Sequence, residues 1–158
     1  MVATAEPNQY ISMAKHFFGA SHPLFSTFGI NLDDVGKGVS TMSIPFNEDL
    51  CDRSGSIHRG VIVTLLDTNC GLAIFSRLGD MRPIATIDLR VEFIKQPEPG
   101  DAIYSEVECY AVQDAIAYVR GRALSRSGND LLATAAGSFA VGTQGPSLDS
   151  AVKPQEQE

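Results

Sequence analysis

In SIHRGVIVTLLDTNCGLA, residues 56–73, three residues stand out as able to act together on a substrate: His58, Gly60 and Asp67. The first two stand where a strongly apolar segment begins, and the third lies inside it. An ionisable side chain on a buried apolar helix is costly unless it is paired or used, which makes Asp67 a candidate general base or nucleophile. The first N–H groups of a helix lack intrahelical partners, and the helix dipole favours negative charge there. The backbone N–H of Gly60 is therefore a candidate donor to a developing oxyanion. A carboxylate and such a donor together suit hydrolysis at an acyl carbon. Plainer roles stay open beside these: Asp67 as a structural carboxylate bonded to a neighbouring strand, and His58 as a loop residue that fixes the start of the helix.

Other chemical patterns fail on inspection. VGKG at 35–38 lacks both the first Gly and the closing Ser or Thr of a phosphate loop, and no GxSxG, GxGxxG or HExxH is present. His16 and His22 have no second ligand at metal-binding spacing, so no metal site is expected. Cys70 reads as a small core residue, because a nucleophile would need a facing His.

The elements that must position these groups follow from periodicity. Asn8 to Phe18 has helical spacing of apolar residues, with Gly19 as a stop. Residues 28–46 predict a hairpin turning at Gly36-Lys37-Gly38, and 47–57 a polar loop. Arg59 to Leu78 is apolar on most sides and stops at Gly79, so it predicts a buried helix about 30 Å long. Ile87, Leu89, Val91 and Phe93 alternate with Thr86, Asp88, Arg90 and Glu92, and strand-like runs follow at 102–112, 115–126 and 131–141. The fold class is α+β: a long buried central helix wrapped by a mostly antiparallel sheet, with a short N-terminal helix. One domain is expected over 1–142, and 143–158 reads as a disordered tail with almost nothing to bury.

Composition narrows the partners. The 158 residues carry a formal charge of -7, with 44% apolar and 20% charged residues, and the basic residues are scattered. That pattern argues against nucleic acid as a partner. Cys51, Cys70 and Cys109 are odd in number and never spaced CxxC, which fits a reducing, cytoplasmic setting. The first residues lack a secretory pattern, and no stretch approaches the ~20 apolar residues of a membrane span, so no membrane association is expected.

The sequence resembles the PaaI-type acyl-CoA thioesterases of the hot-dog superfamily. Their signature is HGG, then an Asp nine residues after the His and a nearby Gly-x-Ala. Here His58, Gly60, Asp67 and Gly71-Leu72-Ala73 fall in register. ATIDLRVEFIKQPEPGD and LLATAAGSFAVG resemble the family's next and last strands, and the likeness covers roughly residues 8–142. It implies thioester hydrolysis of an acyl-CoA without a cofactor, in a homo-oligomer that is a dimer or a dimer of dimers. It further implies a water-orienting role for Thr86, whose plainer reading is an exposed strand residue on the face of Asp88 and Arg90. Two positions depart from the family: Arg59 replaces the first Gly of HGG, and Asp52 stands where many members carry Asn. Both count as candidate substrate-binding residues, as does Arg90. Lys95, Arg120 and Arg122 are weaker candidates for the coenzyme phosphates.

Spacing adds an expectation about assembly. Seven residues separate Gly60 from Asp67, about 10.5 Å along a helix, whereas catalytic groups lie within roughly 3 Å of the reacting atoms. If both act, Gly60 of one subunit meets Asp67 of another. Two other functions share the fold: a hot-dog dehydratase or hydratase, and a non-catalytic acyl-CoA-binding module.

Overall fold

The computed structural model describes residues 23–144. The helix expected over Asn8–Phe18, His16, His22 and residues 145–158 of the expected tail lie outside the described residues.

The described chain opens with a short helix that periodicity does not announce, α1 (Pro23–Phe28). Proline suits a first turn, because its fixed φ is already helical and its missing N–H has no helical partner to lose. The expected hairpin begins three residues later than the sequence suggests, as β1 (Asn31–Gly36) and β2 (Val39–Ile44). Lys37 and Gly38 between them have φ of 53° and 83°, the positive values that a two-residue hairpin turn requires. The Gly38 N–H is held by Ser76 Oγ of the long helix at 2.9 Å.

After a 3-10 turn at Glu48–Leu50 comes α2 (Arg59–Leu78), with the expected ends and with Gly79 in the left-handed conformation as its cap (φ 76°). Its 20 residues, of mean hydropathy 1.4 over an 18-residue window, are long and apolar enough to cross a membrane by length and composition. That corrects the expectation that no stretch approaches such a span. In the fold the helix is the core element, with Ile62, Leu65, Leu66, Cys70, Ala73 and Ile74 fully buried against the sheet. Asn69 is also fully buried, and its amide ties α2 to two strands. Nδ2 donates to the Ser40 carbonyl (3.2 Å) and to the carbonyl and hydroxyl oxygens of Ser105 (3.1 and 2.9 Å), while Oδ1 accepts from Ser40 Oγ at 2.6 Å.

Strands β3 (Ile84–Phe93), β4 (Ile103–Gln113), β5 (Ile116–Ser125) and β6 (Leu131–Val141) complete a six-stranded sheet of order β1-β2-β4-β5-β6-β3, with every pairing antiparallel. One face covers α2 with Met42, Ile44, Ile103, Val107, Val119, Ala133 and Phe139. The other carries cross-strand ion pairs such as Arg120 with Glu108 and Arg122 with Glu106. A long helix held by one antiparallel sheet is the hot-dog arrangement that the resemblance implies. The connection through α2 carries the chain from β2 to the far edge of the sheet, so β3 is an edge strand of ten residues.

Candidate active site

The start of α2 is built by the loop before it. Asp52 Oδ1 accepts from both the N–H and the hydroxyl of Ser54 (2.8 and 2.6 Å), and its Oδ2 accepts from Gln96 Nε2 at 2.8 Å. The Ser54 bonds, side chain first and backbone next, hold the Asp52 carboxyl below its ordinary value, with help from the Ser56 backbone. His58 then caps α2: its backbone is extended, and its Nδ1 accepts the Gly60 N–H at 3.0 Å. That bond needs the lone pair on Nδ1, hence a neutral ring protonated at Nε2. The donor singled out in the sequence is thus engaged by the cap. Arg59 extends over Phe93 at the end of β3, with its guanidinium carbon 5.1 Å from the ring centroid. A cation in the first turn opposes the helix dipole, and a cation–π contact worth roughly 0.5–1 kcal/mol at an exposed site offsets that cost.

Two turns along the same helix, Asp67 is half-buried and its Oδ1 accepts from Thr86 Oγ1 at 3.0 Å. The expectation that Thr86 shares a face with Asp88 and Arg90 is corrected by the sheet register. β3 has a bulge between Thr86 and Asp88: Thr86 pairs with Phe139 and Asp88 with Ser138, so Ile87 is the extra residue. A bulge of this kind changes which side chains face inward. Thr86 faces α2 with Ile84 while remaining exposed, as its plainer reading has it, whereas Asp88 accepts from Ser138 Oγ and Arg90 pairs with Glu92 on the opposite face. The Arg90 side chain is 77% exposed there, and within one chain it does not join Asp67 and Thr86. Arg120 and Arg122 are likewise paired on the outer face, and Lys95 pairs with Asp130 and Glu98.

The candidates therefore form two groups, His58 with Gly60 and Asp67 with Thr86. Seven residues at about 100° each return nearly to the same side of a helix, so both groups share one face of α2 while standing about 10.5 Å apart along it. Sequence reasoning missed Phe93, Gln96 and Asn69. Asn69 had left a signal: a buried amide two residues from Asp67 on an apolar helix must find partners. Burial pushes the Cys70 thiol up to about 12, with the Asp67 charge as a lesser cause. A thiol so placed is inert, in line with its reading as a core residue. Among the described residues, no three His, Cys, Asp or Glu side chains come together to hold a metal ion.

Comparison with known proteins adds to this geometry. The thioesterase superfamily family model matches residues 54–132, half of the chain, from the loop before α2 into β6. A Halobacterium salinarum protein named "Putative esterase" is 37% identical over 87 residues, which are 52% of this chain and 57% of that protein. A Saccharolobus solfataricus protein of the same description is 25% identical over 90 residues, 57% of this chain and 64% of that protein. The chain thus spans about six tenths of the length of these relatives. The PaaI protein of the phenylacetic acid degradation operon of E. coli superposes with a TM-score of 0.75, covering 86% of this chain and 96% of that one at 12% identity. Zebra fish thioesterase superfamily member 2 gives 0.74, over 87% and 99% at 16% identity. At such identities the likeness speaks for the fold, and the family match for descent: the chain belongs to the thioesterase superfamily and has the hot-dog fold of the PaaI proteins.

Proposed function

We propose that this protein hydrolyses the thioester of an acyl-coenzyme A to the free acid and coenzyme A, as a homo-oligomer whose sites are shared between subunits. The observation that carries the reading is the Asp67 carboxylate, held by the Thr86 hydroxyl on the helix face that also presents Gly60. Asp67 removes a proton from water as it attacks the acyl carbon, or attacks the carbon itself to form an anhydride that water opens. In either course the carbonyl oxygen becomes an oxyanion and meets the Gly60 N–H, displacing the His58 imidazole from it. The C–S bond then breaks and the coenzyme thiolate leaves, taking the proton that Asp67 drew from water or, in the anhydride course, one from solvent. Thr86 holds one carboxylate oxygen and leaves the other for water. Asp52 and Arg59 line the approach, and Arg59 reaches an anionic group of the substrate by leaving the Phe93 ring.

The separation of the two groups favours a second subunit as the source of the oxyanion donor. The edge strand β3 favours it too: a long unpaired edge is a ready template for another chain, and Ile87 upon it is 56% exposed. A dimer, or a dimer of dimers, follows. The three cysteines are free thiols, as a cytoplasmic enzyme would keep them.

A panel of aromatic and aliphatic acyl-CoAs with a free-thiol reagent tests this reading, with wild type and Asp67→Asn run side by side. Thiol release by wild type and its collapse in Asp67→Asn is the expected result. Consumption of an unsaturated acyl-CoA without thiol release would show a hydratase instead. Binding without turnover would show a non-catalytic module.

A further inference from the structure

We infer that Gly137, on β6, is a positioning residue for the Asp67–Thr86 pair, because its missing side chain admits the β3 bulge that turns the Thr86 hydroxyl toward Asp67. The inference rests on the reading above, in which that pair acts on the thioester. Its physical basis is a matter of space. A Cβ built on Gly137 would sit far inside contact with the Asp88 carbonyl oxygen, and 3.1 and 3.2 Å from Leu89 Cδ1 and Cα. Two of these three atoms belong to the β3 backbone, so they yield only if the strand moves. Gly137 pairs with Leu89, and its neighbour Ser138 pairs with Asp88, the first residue after the bulge.

The bulge reconciles two demands on one strand. Leu89 and Val91 pack against the core, while Ile84 and Thr86, at the other parity, also face α2. With Ile87 present, an unbroken alternation that keeps Thr86 inward would turn Asp88, Arg90 and Glu92 into the core. Accommodating the extra residue brings the Asp88 carbonyl down over β6 at the one position that has no Cβ. The inward neighbours of Gly137 on β6 are Ala135 on one side and the buried Phe139, opposite Thr86, on the other; at 137 even a methyl group meets the β3 backbone. The Thr86–Asp67 bond is 3.0 Å, and a shift of β3 on the order of 1 Å breaks it, since such a bond is lost beyond about 3.5 Å.

The test compares Gly137→Ala, Thr86→Val and the double variant on an acyl-CoA that wild type hydrolyses. Each single substitution is expected to lower kcat about tenfold or more, the scale of one hydrogen bond to a charged group, with KM nearly unchanged. The double variant should fall no further than Thr86→Val alone, because both changes remove the same bond. A merely destabilising alanine would multiply the Thr86→Val loss rather than be absorbed by it. A folded Gly137→Ala with native kcat, or a double variant with multiplied losses, overturns the inference. Should Gly137→Ala fail to fold, deletion of Ile87 in the same chain removes the bulge and, by restoring strict alternation, leaves Thr86 opposite Phe139 on the side of Leu89 and Val91. Recovered folding with kcat well above that of Thr86→Val then supports the inference, because the alanine acts only through the bulge, whereas continued failure to fold, or recovered folding with kcat as low as Thr86→Val, overturns it. Native kcat in Thr86→Val itself would overturn the Asp67–Thr86 reading first, and so separates the two failures.

Discussion

The two ends of the candidate site are built on different physics. At the start of α2, His58, Arg59 and Gly60 are exposed, and the contacts among them are short-range or weak: a cap two residues long and a guanidinium lying on one ring. Around Asp67 the helix is locked, because Asn69 two residues on is fully buried and bonded to β2 and β4, and Thr86 reaches across from β3. An oxyanion donor can be exchanged between an imidazole and a substrate at little cost when the groups are solvated. A carboxylate proposed as a base must be aimed, and aiming draws on the core. The helix is thus held firmly at Asp67 and loosely at its opening.

The largest expected effect falls on the rigid end. Asp67→Asn keeps the shape and removes the charge, so kcat should drop at least ~10²-fold with little change in folding; retention of more than about a third of the activity would remove Asp67 from the mechanism. Mixing it with Gly60→Pro, which deletes the donor N–H and, through a Cβ 3.1 Å from His58 Nδ1, displaces the capping ring as well, should restore a fraction of the activity by rebuilding one shared site. If subunits exchange and nothing returns, the shared-site reading fails.

Asn69→Ala strips two buried serines of their partner. Each buried polar group left unpaired costs about 1–3 kcal/mol, so denaturant unfolding should show a loss of that order or greater. A near-neutral result would mean that the lock on α2 is not where the hydrogen bonds place it.

Arg59→Gly probes the adaptable end and should do less. If Arg59 holds a substrate anion in ground and transition states alike, KM rises several-fold, kcat stays nearly constant, and the salt dependence of kcat/KM weakens. Unchanged KM and salt dependence would leave Arg59 as a side chain that only rests on Phe93.

The smallest effect concerns Asp52. Its carboxyl is held below the ordinary 3.8 by the Ser54 bonds, so its contribution to stability is present above that pH and lost as pH falls through the lowered folded value. The difference in Tm between wild type and Asp52→Asn should therefore be greatest above pH 4 and shrink in more acid solution. A difference that grows on acidification would contradict the bonding seen in the loop.

Local signals along the chain suffice for whatever depends on sequence neighbours. Arg59–Leu78 shows its ends through the polar loop before it and Gly79 after it, the hairpin keeps its expected turn though its strands are shorter, and three of the four later strands keep nearly the expected bounds, because their signals are turns and a period of two. His58, Gly60 and Asp67 were legible for the same reason, lying within ten residues of one another on one helix. The face of Thr86 was not legible. Alternation along β3 assigns it to the side of Asp88 and Arg90, and only the register with β6, which sets three residues against two, reverses that. Nor were the partners of Asn69, which are 29 and 36 residues away, or the position of β3 at the sheet edge. These depend on which strand lies beside which, and strand order is settled by how the whole sheet covers α2 rather than by any local preference. Tertiary structure alone therefore decided how Asp67 is held, because its hydrogen-bond donor comes from a strand whose orientation is set by a third element, β6.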